Sequence, residues 1–208
     1  MRGGVVDFVK DALFPYFCPE CRRESEWWCA GCRKKSYNFQ KIRAVNDLDL
    51  VTALFLFNES APIGKLIHDF KYNFMIDIGQ LWKDVVADNM FSLSKTTLVP
   101  VPLYKRRERE RGYNQSVIIA NMLAEHFKLK VDDGLLRRIR STKQQAKLGA
   151  EERRRNVDGA FVWVGSTVPE HVTLVDDVYT TGSTMNECAK VLRAAGVKNV
   201  EGFVLAHG

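Results

Sequence analysis

The sequence predicts an α/β protein, a mainly parallel sheet flanked by helices, with a small four-cysteine metal-binding unit at its N-terminal end. Three observations carry this. From Thr96 onward, strand-like and helix-like stretches alternate, the pattern of parallel strands joined through covering helices. Four cysteines crowd into residues 18–32 as two C-x2-C pairs. An apolar stretch ends in two aspartates, followed by a Thr-Thr-Gly-Ser-Thr turn that opens a helix.

The elements follow in chain order. Over Met1–Phe17, apolar Val5, Val6, Phe8, Val9, Ala12 and Leu13 are interrupted by Asp7, Lys10 and Asp11. This reads as a short amphipathic helix, not a signal peptide. No apolar run approaches the roughly 20 residues that cross a bilayer, so a cytoplasmic chain without membrane insertion is expected. Cys18, Cys21, Cys29 and Cys32 form two knuckles whose thiolates can complete a tetrahedral Zn2+ shell. Disulfides are the alternative, and a cytoplasmic chain disfavours them. Four closed ligands leave no open position, so the zinc is expected to be structural. Trp27 and Trp28 between the knuckles either dock the unit, the preferred reading, or stack on bases. Residues 1–40 are thus expected to hold the helix and zinc finger, and residues 41–208 the main domain.

Within that domain, 51–93 is expected to form a hood over the site and 96–208 the core. The hood opens with a strand-like run, Val51–Phe57, followed by helical stretches around Pro62–Phe70 and Ile78–Phe91. Lys71 and Tyr72 are possible ligand contacts. In the core, Leu98–Leu103 is strand-like, and Gln115–Phe127 is helical with Val117, Ala120, Ala124 and Phe127 on one face. Val172–Val175 is a strand, Ser183–Ala195 a helix stopped by Gly196, and Asn199–Leu205 the returning strand. Cys188 reads as a buried small hydrophobe. The four histidines are scattered and suggest no catalytic group.

Charge is uneven. The net charge is +6, yet residues 105–155 hold 15 Lys plus Arg against 7 Asp plus Glu, a balance of +8. A basic excess confined to one region points to a polyanionic ligand. If the run around Arg107, Arg109 and Arg111 is extended, the three project on one side and can clamp a pyrophosphate or a nucleic-acid backbone. The stretch from Leu148 to Phe161 is expected to be a mobile loop or hairpin over a site.

The acid pair is the most informative feature. In an open α/β sheet, ligands sit at the carboxyl ends of strands, and a helix N-terminus offers free N–H groups to a phosphate. Gly182 permits close approach, and the hydroxyls of Thr180, Thr181, Ser183 and Thr184 add donors. Asp176 and Asp177 can accept from vicinal sugar hydroxyls and orient a hydrated Mg2+. Together they describe a ribose 5-phosphate site.

The Leu174–Thr184 string resembles the phosphoribosyl pyrophosphate motif of the type I phosphoribosyltransferases. That resemblance implies that Asp176 and Asp177 contact the ribose hydroxyls while Thr180, Thr181, Gly182, Ser183 and Thr184 wrap the 5-phosphate. The run from Val99 to Ser116, the R-x-R-x-T-x-x-Q pattern from Arg138, the R-x-x-N-V-x-G-A-F pattern from Arg153, the Leu13–Cys21 segment and His68–Tyr72 are together similar to the ComF/GntX family. The resemblance implies a type I phosphoribosyltransferase fold with a zinc finger, binding phosphoribosyl pyrophosphate and Mg2+, in natural competence. Implied partners are single-stranded DNA and a competence helicase or other DNA-uptake proteins. The short glycine-rich pyrophosphate loop of the phosphoribosyltransferases has no counterpart after Pro100 or Pro102, where the arginine-rich stretch stands. If the protein is catalytic, Asp176 and Asp177 serve displacement at ribose C1, with Arg107, Arg109 and Arg111 as candidates for stabilising the leaving pyrophosphate. The alternatives are a non-catalytic single-stranded DNA-binding adaptor that keeps the pocket, and a nucleobase-salvage enzyme.

Overall fold

The two longest strands, β7 (His171–Tyr179) and β8 (Asn199–His207), run parallel at the centre of the sheet, with Leu174 opposite Gly202 and Val175 opposite Phe203. The structure, a computed structural model, describes residues 16–24, 26–43, 46–72, 78–88, 91–93, 95–142 and 150–208. The expected N-terminal amphipathic helix lies outside the described residues, except for Tyr16 and Phe17 at its end. So do residues 143–149 of the basic stretch.

On one side of β8 lies β2 (Leu50–Leu56), parallel to it, and then β1 (Gln40–Arg43), antiparallel at the edge. On the far side of β7 lie β3 (Thr97–Pro100) and the two-residue β4 (Lys130–Val131), both parallel. The six-stranded order is therefore β1-β2-β8-β7-β3-β4. Strands buried on both faces need apolar side chains in both directions, and Val172, Leu174, Val175 and Phe203–Ala206 supply them.

Alternation along each strand divides the core. Leu54, Leu98, Val175, Phe203 and Leu205 face one layer, made of α2 (Pro62–Tyr72), α3 (Ile78–Asp88) and α5 (Gln115–Phe127). Val51, Ala53, Val99, Leu174 and Val204 face the other, made of α7 (Ser183–Ala194) with a ribbon of β5 (Leu136–Arg138) and β6 (Phe161–Trp163). Burying each large apolar side chain contributes about 1.5–3 kcal/mol. The helix α6 (Ala150–Val157) precedes β6 and packs on α7, so the part of Leu148–Phe161 expected to be a loop or hairpin is a helix over 150–157, while 148 and 149 lie outside the described residues.

Several expectations need correction. The arginine run is not extended. Lys105–Arg111 forms a helix, α4, favoured by its Lys, Arg and Glu content and by the Arg106–Glu110 pair one turn apart. Gly112 ends it in the left-handed region at φ 78°, donating to Glu108 O at 2.8 Å. Nor does β7 stop at the acid pair, since it continues to Tyr179. In α5 the fully buried positions include Ile119, Ala120, Met122 and Leu123, whereas Val117 and Ala124 are half-buried. The reason is that α5 lies between the sheet and α3, so it has two buried faces.

The cysteine unit is docked on this frame. Trp28, 1% exposed, packs 5.2 Å from the Phe55 ring. The helix α1 (Ala30–Ser36) carries Arg33, whose guanidinium meets Asp88 of α3 at 2.8 Å, and the Tyr37 hydroxyl donates to the same carboxylate at 3.0 Å. Burial works against the ionised Asp88 carboxyl, but the Arg33 and Tyr37 donors outweigh it and hold it below the ordinary 3.8. Its contribution to stability is therefore present above about pH 4 and lost as pH falls through the lowered folded value. Arg33→Ala is expected to cost about 1–3 kcal/mol at neutral pH, since it strands a part-buried carboxylate. That corresponds to roughly 2–4 °C of melting temperature per kcal/mol. Thermal melts across pH should show the deficit shrinking toward acid.

Candidate functional site

Asp176 and Asp177 are adjacent on β7, and their closest partners come from two helices, α5 and α2. Asp177, 3% exposed, turns toward the α2 layer. There Lys71, in the last turn of α2, brings its ammonium to 2.9 Å from Asp177 Oδ2. That oxygen accepts no aligned hydrogen bond from the described residues, so the contact is an ion pair. Asp176 Oδ1 accepts from the Ser116 hydroxyl and from the Asp177 N–H, each at 2.9 Å. Ser116 is placed by Asn114, whose side chain caps α5 at the Ser116 N–H and donates to Val101 O at 3.0 Å.

Burial, reinforced by the neighbouring Asp177 carboxylate, pushes Asp176 up from 3.8 to about 7, against the pull of Lys71. A raised carboxyl contributes stability below its unfolded value and loses it as pH rises through about 7.

Directly after β7 the chain turns through residues 180–182 into α7. Gly182 is left-handed at φ 70°, and a Cβ there would stand 2.4 Å from the Tyr179 hydroxyl. Both constraints favour glycine. Gly182, the N-cap of α7, has no side chain to cap it, and the start of a helix carries the positive end of its dipole. The Thr181 and Ser183 hydroxyls lie 2.7 Å apart. Both line a cleft of about 430 Å³ of mixed charge, with Arg155 and Lys190 beside Asp47, Asp158 and Glu187, and neither Asp176 nor Asp177 lines it. The acid pair, the turn and the helix start thus occur within one continuous segment, as the sequence suggested. Ser116 was not among the expected site residues. Its signal is the Asn-Gln-Ser start of a helix after a Gly turn, a common cap that does not single out a ligand site.

The arginines behave differently. Arg107 donates to Thr142 O at 2.7 Å and Arg111 to the Gln115 side chain, one turn further along the chain. Arg109 faces another cleft, between α4 and β5. The three do not form one clamp.

At the N-terminal unit, the Sγ atoms of Cys18, Cys21, Cys29 and Cys32 lie within 4.8 Å of one another, with Cys21 and Cys29 3.5 Å apart. A tetrahedral zinc–thiolate shell has edges of about 3.8 Å for bonds of about 2.3 Å, so the set can hold a metal such as zinc. The first knuckle is a turn closed by Cys18 N–H to Arg23 O at 2.8 Å, and the second is the start of α1. Burial raises the Cys18 thiol, but N–H groups of Cys21, Cys29 and Glu20 outweigh it and bring it to about 7. Cys32 is pushed up, first by its hydrogen bond to Cys29. Cys188 is fully buried, as expected of a small hydrophobe.

Asp176→Asn removes the charge that burial penalises. The ligand-free variant is expected to melt a few degrees above the wild type at pH 8, an advantage that disappears near pH 4. Equal shifts at both values would contradict the raised Asp176.

No helix among the described residues is long and apolar enough to cross a membrane. No family model matches the chain. It is 30% identical over 212 residues to Competence protein F of Haemophilus influenzae, covering 93% of this chain and 85% of that protein. It is 29% identical over 200 residues to the DNA utilization protein YhgH of Escherichia coli, covering 91% and 83%. Competence protein ComFC of Streptococcus pneumoniae is 25% identical over 155 residues, covering 74% and 67%. With similarity at this level over nearly its whole length, the chain belongs to the ComF family.

Proposed function

We propose that the protein binds phosphoribosyl pyrophosphate with Mg2+, on a type I phosphoribosyltransferase fold, and acts in the use or uptake of DNA. One observation carries this reading: the acid pair on β7 continues directly into a glycine turn that opens a helix. The anion-attracting terminus and the Thr181 and Ser183 hydroxyls suit a 5-phosphate. The two carboxylates suit the ribose diol, and Mg2+, arriving with the substrate, neutralises the pyrophosphate charge. Strand order and the parallel pairing of β3, β7, β8 and β2 are consistent with that fold. The names of the relatives, competence and DNA utilization, support the wider role.

Within this reading each side chain has a task. Asp177 accepts from one ribose hydroxyl, and Lys71 keeps its charge compensated before ligand arrives. Asp176, steadied by Ser116, accepts from the other. If the site turns over, bond breaking at C1 builds positive charge on the ribose ring, which these carboxylates stabilise. The four cysteines hold a structural Zn2+ and take no part in that step.

Isothermal titration with phosphoribosyl pyrophosphate and Mg2+ tests the assignment. The wild type is expected to bind, and Asp176→Asn combined with Asp177→Asn to lose at least about 1.4 kcal/mol, a tenfold effect, with circular dichroism unchanged. Unaltered affinity in the double variant would remove the acid pair from the pocket. Metal analysis should find one zinc per chain, and Cys29→Ser or a strong chelator should lower the melting temperature. A zinc-free protein with the same melting curve would refute the structural metal.

A further inference from the structure

Adjacent carboxylates suit a divalent cation, because Mg2+ and Mn2+ take oxygen ligands and are held through one or two carboxylates. The acid pair is answered instead by cations of the chain itself. Lys71 places its ammonium 2.9 Å from Asp177 Oδ2, with the lysine side chain 24% exposed and the aspartate side chain 4%. That oxygen is buried and accepts no aligned hydrogen bond from the described residues. On the neighbouring carboxylate, Asp176 Oδ1 is engaged by the Ser116 hydroxyl and the Asp177 N–H. The charge of Asp176 also acts on the guanidinium of Arg138, a residue 7% exposed. Two carboxylates therefore stand against two cations, and a divalent ion added between them meets like charge at close range.

The backbone that carries Lys71 is pinned. Phe70, directly before it, is fully buried, with its ring 6.1 Å from Trp82 and 5.9 Å from Tyr113. The Phe70 carbonyl accepts from the Tyr113 hydroxyl. The ammonium thus reaches a buried carboxylate from a fixed helix end, and its departure would leave Asp177 uncompensated. A third oxygen ligand is missing as well. Among the described residues, the four cysteines are the one cluster of three or more Cys, His, Asp or Glu whose ligand atoms converge.

We infer that Lys71 is the resident counter-ion of the acid pair and shuts it to free divalent metal ions. Asp176 and Asp177 do not fit a metal seat while the ammonium is in place, contrary to the expectation that they orient a hydrated Mg2+. Any metal at the site is then carried by the anionic part of a ligand. Lys71 determines specificity here through charge and position, and takes no part in bond breaking.

Titration of the zinc-loaded full chain with Mn2+, followed by the electron paramagnetic resonance signal of the free ion, tests the assignment. No sugar is present, so the outcome is independent of whether phosphoribosyl pyrophosphate binds. The wild type is expected to show no Mn2+ site that Asp177→Asn removes. Lys71→Met keeps much of the length without the charge, and should bind Mn2+ at least about tenfold more tightly than the wild type. Lys71→Met combined with Asp177→Asn should lose that gain, and Lys71→Arg should exclude the ion as the wild type does. In metal-free buffer Lys71→Met should melt below the wild type, and Mn2+ should raise the melting temperature of the variant alone. Lys71→Gln, which can still donate to Asp177, carries the same expectations where Lys71→Met does not fold. A Mn2+ site in the wild type that depends on Asp177 would overturn the inference, as would the absence of any gain in the uncharged variants. An equal gain in Lys71→Arg would trace the effect to altered packing and refute the role of charge.

Discussion

Two carboxylates side by side on a buried strand repel each other and lose hydration together, and much of the architecture answers that problem. Asp176 and Asp177 make their direct contacts with different helices of one layer, while the charge of Lys71 acts on both. Asp177 receives the ammonium of Lys71 from α2. Asp176 receives a hydroxyl and a backbone N–H, and its pull toward the protonated form shows that these do not fully offset its burial. The helix start that follows supplies the complementary polarity within a few residues.

The partners of the acid pair come from elements that are themselves tied together. Tyr113, just before α5, donates its hydroxyl to Phe70 O beside Lys71, so the ends of α2 and α5 are fixed relative to each other. The helix α3 packs on both, and the cysteine unit grips α3 through Arg33 and Asp88. Trp28 and Tyr37 against Phe55 anchor the same unit to β2. A metal held by the four cysteines would thus brace the layer that carries Lys71, although it stands outside the acid-pair site.

Much of this was legible in the residues. The helix Gln115–Phe127 has the expected bounds, because an asparagine cap precedes it and Lys128 ends it in a left-handed turn. The acid pair and glycine turn are local in the chain, so one segment displays them. The cysteine spacing encodes its own geometry. The arginine run was less transparent. Alternating arginines fit a strand, but the intervening glutamates allow one-turn pairs, and the helix wins. The Lys71–Asp177 pair joins residues more than 100 positions apart, which no local pattern records.

The pairing of β2 with β8 sets a condition on biosynthesis. Val51 lies opposite Gly202, so the strand that supports the cysteine unit finds its neighbour only after nearly all the intervening chain has been made. Pairings this distant in sequence are slow to form and leave strand edges unprotected while they wait. On the ribosome, the N-terminal unit would reach its platform Phe55 before the sheet behind Phe55 exists. Early metal capture could give that segment its own local order during the delay and limit its association with other nascent chains.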